Sequence, residues 1–271
     1  KTQKNGIQLN NPSQLRIGSS FPKKMFFKVN IWIDELIIKR KLINKNTAAI
    51  MVEPILGEGG IKIIPNQCLE GLRKLCNKKK ILLIFDEVQC GIGRTGKFFS
   101  YQWSKIEPDI LATAKGMGGG FPIGACLVTD KVSKGIKFGS HGSTFGGNPL
   151  ACSVAKRVIE IISEKKFLND LNQKATFFVN NLEAIKNTYN HLINEIRGRG
   201  FLLGIKIKIN NSIFMEKLRN NGLLSVGANE SIIRILPPLN VTNKDLKIAL
   251  KIIEKTCIDI NSKKWKKLNI S

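Results

Sequence analysis

Asp109-Ile110-Leu111-Ala112-Thr113-Ala114-Lys115 runs directly into Gly116-Met117-Gly118-Gly119-Gly120. A short apolar run that stops on a charged side chain and then on glycines reads as a buried strand feeding a tight turn. The pattern recurs upstream. Ile81-Leu82-Leu83-Ile84-Phe85 stops on Asp86-Glu87-Val88-Gln89, and Ala48-Ala49-Ile50-Met51-Val52 stops on Glu53-Pro54, ahead of the glycine turn Gly57-Glu58-Gly59-Gly60. A further apolar run spans Ile123–Val128. Continuous apolar runs, some separated by a helix-length segment, indicate strands covered on both faces in a mainly parallel sheet, hence an α/β fold. Glu53, Asp86 and Lys115 stand at the ends of three such strands, and open α/β sheets bind ligands beyond the carboxyl ends of their strands. Lys115 follows a buried strand, where a charged amine is expected to be costly unless it is used.

Helical segments fill the spaces between. Pro65-Asn66 starts a helix, with Asn66 as its cap and Leu69, Leu72, Leu75 and Cys76 along one face. Asn148-Pro149 begins a long helix, cap and first-turn proline in their preferred order, with Leu150, Val154, Val158 and Ile162 as its expected buried stripe. Beyond Lys165 the pattern becomes helix (about 167–188), strand Leu202–Ile209, helix (about 211–221), strand Ile232–Leu236, and a last helix from Thr242-Asn243 with Leu246, Leu250, Ile253 and Cys257 inward. The expected organisation is an irregular basic segment over 1–45 with an amphipathic stretch at Ile31–Ile43, a large domain over 46–163, a small α/β domain over 164–260, and a tail over 261–271.

Composition narrows the function classes. A chain of 271 residues, 42% hydrophobic, can bury one large core or two modest ones. No stretch reaches the length of a membrane span and no signal peptide opens the sequence, so no membrane association and a cytoplasmic location are expected. Six cysteines show no C-x-x-C pair and read as reduced core thiols, while two histidines, His141 and His191, make a histidine-based metal site improbable. The net charge of +24 raises nucleic acid as a partner. However, Lys78-Lys79-Lys80 and the lysines around Trp265 carry no interleaved aromatics, and aromatic content is 7%. Specific nucleic-acid binding is therefore disfavoured, and lysine-rich solvated faces account for the charge.

Two chemistries compete for the strand ends. Ile81–Glu87 has the shape of a Walker B strand, and Gly91-Ile92-Gly93-Arg94-Thr95-Gly96-Lys97 matches G-x-x-x-x-G-K. Phe98 then stands where a hydroxyl must bind magnesium, and no helix pattern begins at Lys97, which argues against an ATPase. A lysine and an acid at the ends of two buried strands instead suit pyridoxal phosphate. The amine holds an aldehyde as a Schiff base and the carboxylate keeps a pyridine nitrogen protonated. Taken alone, Asp86 could equally cap a helix or sit in a structural ion pair, and Glu58 could be an ordinary loop acid. Arg234, inside Ile232-Ile233-Arg234-Ile235-Leu236, calls for a carboxylate partner, either a substrate or an acid such as Glu58. Ser140-His141-Gly142-Ser143-Thr144-Phe145-Gly146-Gly147 offers hydroxyls and amides that suit a phosphate, or else forms a plain tight turn with His141 structural.

Together these segments resemble one family, the class III, ornithine-type pyridoxal-phosphate aminotransferases of fold type I. The resemblance runs from about Thr47 to Ile260. It is carried by Val52 through Gly60, Phe85 through Gly91, Gly93-Arg94-Thr95-Gly96, Pro108-Asp109-Ile110, Lys115, and His141 through Pro149. Ile196-Arg197-Gly198-Arg199-Gly200 and Arg234-Ile235-Leu236-Pro237-Pro238-Leu239 are most similar to the acetylornithine branch. The resemblance implies a large domain with a mainly parallel sheet, a smaller C-terminal α/β domain, and pyridoxal 5'-phosphate held by Lys115, which then shuttles a proton. It places Asp86 on the pyridinium and Val88 on the ring face, with Glu87 in the same cofactor-binding run and Gln89 near the ring oxygen. Thr144 would reach the cofactor phosphate of the neighbouring subunit of a homodimer, with Ser143 beside it near the substrate. Arg234 would bind the substrate α-carboxylate. Glu58 would pair with Arg234 when an ω-amine is presented and yield to 2-oxoglutarate or glutamate.

The implied activity exchanges an amino group between N2-acetylornithine and 2-oxoglutarate in arginine biosynthesis. Succinyldiaminopimelate or ornithine are alternative substrates of the same machinery, and a non-catalytic truncated remnant is the alternative of another class. The resemblance also marks departures. The family's phosphate loop, its ring-stacking aromatic and its second arginine have no counterpart in residues 1–45, Arg16 included, so an N-terminally truncated chain is expected. Leu56 stands where the family usually has glutamine.

Overall fold

The computed structural model describes residues 26–29, 43–229 and 231–262. In chain order its elements are β1 (Phe26–Val29), β2 (Ala49–Val52), β3 (Ile55–Leu56), β4 (Lys62–Ile63), α1 (Asn66–Lys79), β5 (Leu82–Asp86), β6 (Ile110–Thr113), β7 (Ala125–Val128), α2 (Asp130–Ser133), α3 (Pro149–Ser163), α4 (Lys165–Thr188), β8 (Ile193–Arg199), β9 (Leu202–Ile207), α5 (Asn211–Asn220), β10 (Val226–Ala228), β11 (Ile232–Ile235) and α6 (Asn243–Asn261). The chain divides into two compact units. The first takes the described residues up to Pro54 with Ile64–Gln89 and Tyr101–Ile159; the second takes Ile55–Ile63, Cys90–Ser100 and the described residues from Glu160.

The first unit is built on a sheet of order β1-β2-β5-β6-β7, parallel except for β7, which runs antiparallel to β6. Its strands are apolar on both sides: Leu83, Ile84 and Phe85 are all buried. Ile50, Val52, Leu83 and Phe85 pack with Leu69, Leu72 and Cys76 of α1, each full burial contributing roughly 1.5–3 kcal/mol for a side chain of this size. Asp109 ties the layers. Its Oδ2 accepts from Leu83 N and from Arg73 Nη1 of α1, both at 2.8 Å.

Several local expectations change. Asn66 does not cap α1; Pro65 occupies that position, and Asn66 Nδ2 donates to Trp103 O at 2.9 Å. Phe26–Val29, within the stretch read as irregular, pairs in parallel with β2. Four residues interrupted by Lys28 are too few to show a period. The remainder of 1–45 apart from Ile43 to Lys45, and residues 263–271, lie outside the described residues. Asn148 does cap α3, its Oδ1 accepting from Ala151 N at 2.9 Å. The buried stripe of α3 is Ala151, Ala155 and Ile162, however, and Leu150 is 64% exposed.

In the second unit an antiparallel sheet of order β10-β11-β9-β8 separates two packing layers. Alternation along the strands sorts the side chains. Leu203, Ile205 and Ile207 of β9 and Ile233 and Ile235 of β11 join the core formed with α4, α5 and α6. Leu202 and Ile232 instead join Ile55, Ile61 and Cys90, so the short hairpin β3–β4 covers the other face. Leu246, Leu250, Ile253 and Cys257 of α6 are buried, and Thr242 caps that helix by accepting from Asp245 N.

Candidate active site

Asp86 and Lys115 occupy one edge of the first unit's sheet because parallel strands put their carboxyl ends side by side. Asp86 pairs with Ala112 in register, and Lys115 follows β6 within three residues of that pair. Glu53 lies one position past the Val52–Phe85 pair on the neighbouring strand. Asp86 Oδ1 accepts from Val88 N at 3.2 Å, a local turn that fixes the carboxylate where the strand ends. Val88 and Gln89 follow, half-buried.

Glu87 plays a different part. Its N donates to Ala112 O at 2.8 Å, and its wholly buried carboxylate accepts from Tyr101 N at 2.7 Å, holding the 3₁₀ turn Ser100–Trp103. Lys115 opens another 3₁₀ turn, Lys115–Gly118, with φ of 46°, a left-handed conformation that costs a non-glycine residue about 1–2 kcal/mol. Its side chain is exposed, so the burial penalty inferred from the preceding strand does not operate. Lys80 and Lys105 share a left-handed φ, so strain alone does not mark Lys115; its place after the carboxyl end of β6, on the strand paired with the one that ends on Asp86, does. Ser143 and Thr144 are exposed on the loop before α3, in a turn closed by Gly146 N donating to Ser143 O.

The second unit holds Arg234 and Glu58 together. Arg234 Nη1 donates to Glu58 Oε1 at 2.6 Å, with the arginine side chain 9% exposed and the glutamate 70%. Arg234 pairs in register with Gly204 on β9, and Gly204 pairs with Arg197 on β8. The three form one cross-strand row on the face that the hairpin covers. A methyl group on Gly204 would lie 2.9 Å from Ile232 Cγ2 and 3.0 Å from Ile61 Cγ1, so glycine lets the hairpin sit on the sheet. Arg197 Nη1 donates to Gly60 O at 3.3 Å while its Nε donates to Glu195 Oε2 at 2.7 Å.

Arg94 is another embedded guanidinium of this unit. It donates to Phe201 O and Pro237 O, and burial lowers its pKa to about 10. The sequence had drawn attention to Gly93-Arg94-Thr95-Gly96 and to Ile196-Arg197-Gly198-Arg199-Gly200 only as motifs, and Gly204 carried no signal at all. Their importance rests on strand register, which a single sequence does not show.

A cavity of about 650 Å³ lined by Lys45, Thr47, Lys79 and Lys80 lies at the opposite, amino-terminal ends of β2 and β5 and contains none of these residues. Among the described residues no group of His, Cys, Asp and Glu side chains is placed to hold a metal ion, and no helix is long and apolar enough to cross a membrane. The donor set of the first unit fits pyridoxal 5'-phosphate in kind. It offers an exposed amine for an aldehyde, a carboxylate fixed by its own turn for a cationic ring nitrogen, and exposed hydroxyls for a phosphate.

Known proteins agree with this chemistry. A family profile described as aminotransferase class-III matches residues 3–257. Acetylornithine aminotransferase 2 of Caulobacter vibrioides is 48% identical over 225 residues, which cover 83% of this chain and 56% of that protein. Among solved structures, ornithine delta-aminotransferase of Plasmodium falciparum matches with a TM-score of 0.80 at 30% identity, over 88% of this chain and 65% of that one. Acetylornithine aminotransferase of Elizabethkingia anophelis matches with a TM-score of 0.74 at 38% identity, over 79% and 55% respectively. The chain spans little more than half the length of the curated relatives it matches.

Proposed function

The chain belongs to the class-III aminotransferases, and from that premise we propose that the whole protein is a transaminase exchanging an amino group between N2-acetylornithine and 2-oxoglutarate. The observation that carries the proposal is the buried Arg234 beneath an exposed, removable Glu58, in a chain that also sets Asp86 and Lys115 at one sheet edge. The names of the curated relatives support an acylated ornithine as amino donor. Ornithine is the second reading, favoured by the names of several structural relatives.

Pyridoxal 5'-phosphate, when bound, supplies an electron sink for the negative charge left on a deprotonated substrate carbon. Lys115 would hold the aldehyde until a substrate amine displaces it, and its freed Nζ would then be the base that takes that proton and returns it. Asp86 would keep the ring nitrogen protonated, Val88 would pack on the ring and Gln89 would lie near its oxygen. Glu87 serves from behind, since its carboxylate is committed to Tyr101 N and steadies the turn that carries Asp86 and Val88. Arg234 binds the α-carboxylate of glutamate or 2-oxoglutarate once Glu58 leaves, and Glu58 returns to neutralise it when an ω-amine is the donor.

The reading extends to a cytoplasmic homodimer. Six thiols without a disulfide, three of them buried, suit a reducing compartment. Phe138 at 108% exposure, Phe145 at 82% and Leu150 form an apolar stretch around Ser143 and Thr144, which suits a subunit contact delivering Thr144 to the partner's phosphate.

The test is a pair of half-reactions on the protein loaded with pyridoxal 5'-phosphate. Acetylornithine should bleach the visible absorbance and 2-oxoglutarate should restore it, with ornithine and succinyldiaminopimelate slower. A faster response to ornithine would reassign the donor. No response to any ω-amine, with cofactor bound, would overturn the proposal.

A further inference from the structure

The Glu58 gate requires something that the Arg234 contact does not supply. If Glu58 is to leave and return, the turn that carries it must stay in place. The turn is Gly57-Glu58-Gly59-Gly60, between β3 and β4, closed by Gly60 N and Ile61 N approaching Gly57 O at 3.4 and 3.5 Å. These are long bonds, and Asn229 N approaches Glu58 O at 3.5 Å. Gly60 itself has φ of 100°, and a methyl group there would lie 3.2 Å from Asn229 O and 3.8 Å from Arg197 Nη1.

We propose that Arg197 is the positioning residue of the gate: its guanidinium anchors the Gly60 end of the turn, so that Glu58 opens and closes by moving its side chain alone. The inference rests on the reading of Glu58 and Arg234 as a gate. Three features support it. Arg197 sits in the same cross-strand row as Arg234, on the other side of Gly204, and so faces the same hairpin. Gly204 leaves no side chain between the two arginines, which lets both reach the turn, one at its carboxylate and one at its backbone. Arg197 is itself held, because Nε donates to Glu195 Oε2 at 2.7 Å and its side chain is 15% exposed, so it presents Nη1 from a fixed frame. A guanidinium holds both partners through one rigid planar fork, whereas an ammonium on a flexible stem fixes neither geometry as tightly.

The experiment labels the unliganded chain with phenylglyoxal, an arginine reagent, and follows modification of Arg234 by peptide mass spectrometry. A closed gate shields Arg234. Glu58→Gln should raise its labelling rate, and Arg197→Ala should raise it roughly fivefold, the scale of one lost hydrogen bond. The double variant should be no faster than Glu58→Gln alone, because both changes act on the same shield. Arg197→Lys should restore part of the protection, and Glu195→Gln should weaken it mildly; these two keep the test open if Arg197→Ala does not fold. A purely structural arginine would give effects that add to Glu58→Gln. If Glu58→Gln accelerates labelling while every folded Arg197 and Glu195 variant matches the parent, or if the effects add, the role of Arg197 is overturned. If Glu58→Gln itself changes nothing, the gate reading falls, and the role of Arg197 with it.

Discussion

Arg234 and Glu58 meet at 2.6 Å with opposite relations to solvent, the arginine side chain 9% exposed and the glutamate 70%. The cation is locked in an inner strand, and its counter-ion stands in water. An exposed carboxylate regains its hydration on leaving, which offsets part of the lost pairing. The buried guanidinium then needs a replacement anion, because an unpaired buried charge is expensive. The asymmetry makes a carboxylate receptor with its own removable plug.

Replacing Glu58 by Gln keeps an acceptor beside Arg234 but removes the counter-charge of a buried guanidinium, so thermal stability should fall by about 1–3 kcal/mol. The half-reaction with acetylornithine should slow and that with glutamate should quicken, so the ratio of the two single-turnover rates is the quantity to measure. A loss of stability well beyond that range would show that Glu58 is part of the packing instead.

Arg234→Met keeps much of the side-chain volume and removes the charge. Affinity for 2-oxoglutarate should fall by ~2–5 kcal/mol, the scale for deleting one partner of a buried, hydrogen-bonded charge pair. The measurement is the KM for 2-oxoglutarate against that for acetylornithine, and the first should rise far more than the second.

Gly204→Ala tests the packing that brings the hairpin to the sheet. The new methyl would meet Ile232 and Ile61 at about 3 Å, tighter than carbon atoms tolerate. Overpacking of this kind costs about 1–3 kcal/mol, visible as a lower midpoint in urea or heat. Because the hairpin must shift, Arg234 should also become more reactive toward phenylglyoxal.

Two buried thiols predict an alkaline limit. Burial pushes Cys76 up to about 11 and Cys257 up to about 12 from an ordinary 9.0, with Arg73 opposing the shift at Cys76 and Glu254 adding to it at Cys257. Between pH 9 and those values the unfolded chain loses thiol protons that the folded chain keeps, so stability must fall as pH rises, by up to ~1.4 kcal/mol per unit for each thiol. Urea midpoints from pH 8 to 10.5 should decline less steeply in the Cys76→Ala, Cys257→Ala variant than in the parent.

What the sequence showed and what it hid divide along physical lines. Strands β5 and β6 were legible because burial on both faces leaves continuous apolar runs ending on Asp86 and near Lys115. Helix α6 was legible because Leu246, Leu250, Ile253 and Cys257 recur at helical spacing. Strand β8 was not, because Glu195, Arg197 and Arg199 occupy it and a charged strand resembles a loop. Nor was the division of units. Residues 55–63 and 90–100 pack with the C-terminal part, through contacts such as Arg94 with Phe201 and Pro237, that lie over a hundred positions apart. The α3 stripe was misjudged at Leu150 because small alanines, which carry little hydrophobic signal, fill its inner face.

The most direct measurement treats the protein with pyridoxal 5'-phosphate at limiting ratio, reduces with borohydride, and maps the pyridoxyl group among the many lysines by peptide mass spectrometry. Exposed lysines capture aldehydes in proportion to access, so selectivity is what counts. The account predicts that Lys115 carries most of the label and that Asp86→Asn disperses it over other lysines. Label spread across the surface lysines in the parent, with Lys115 no more modified than Lys97 or Lys134, would contradict the claim that this strand end is a cofactor site.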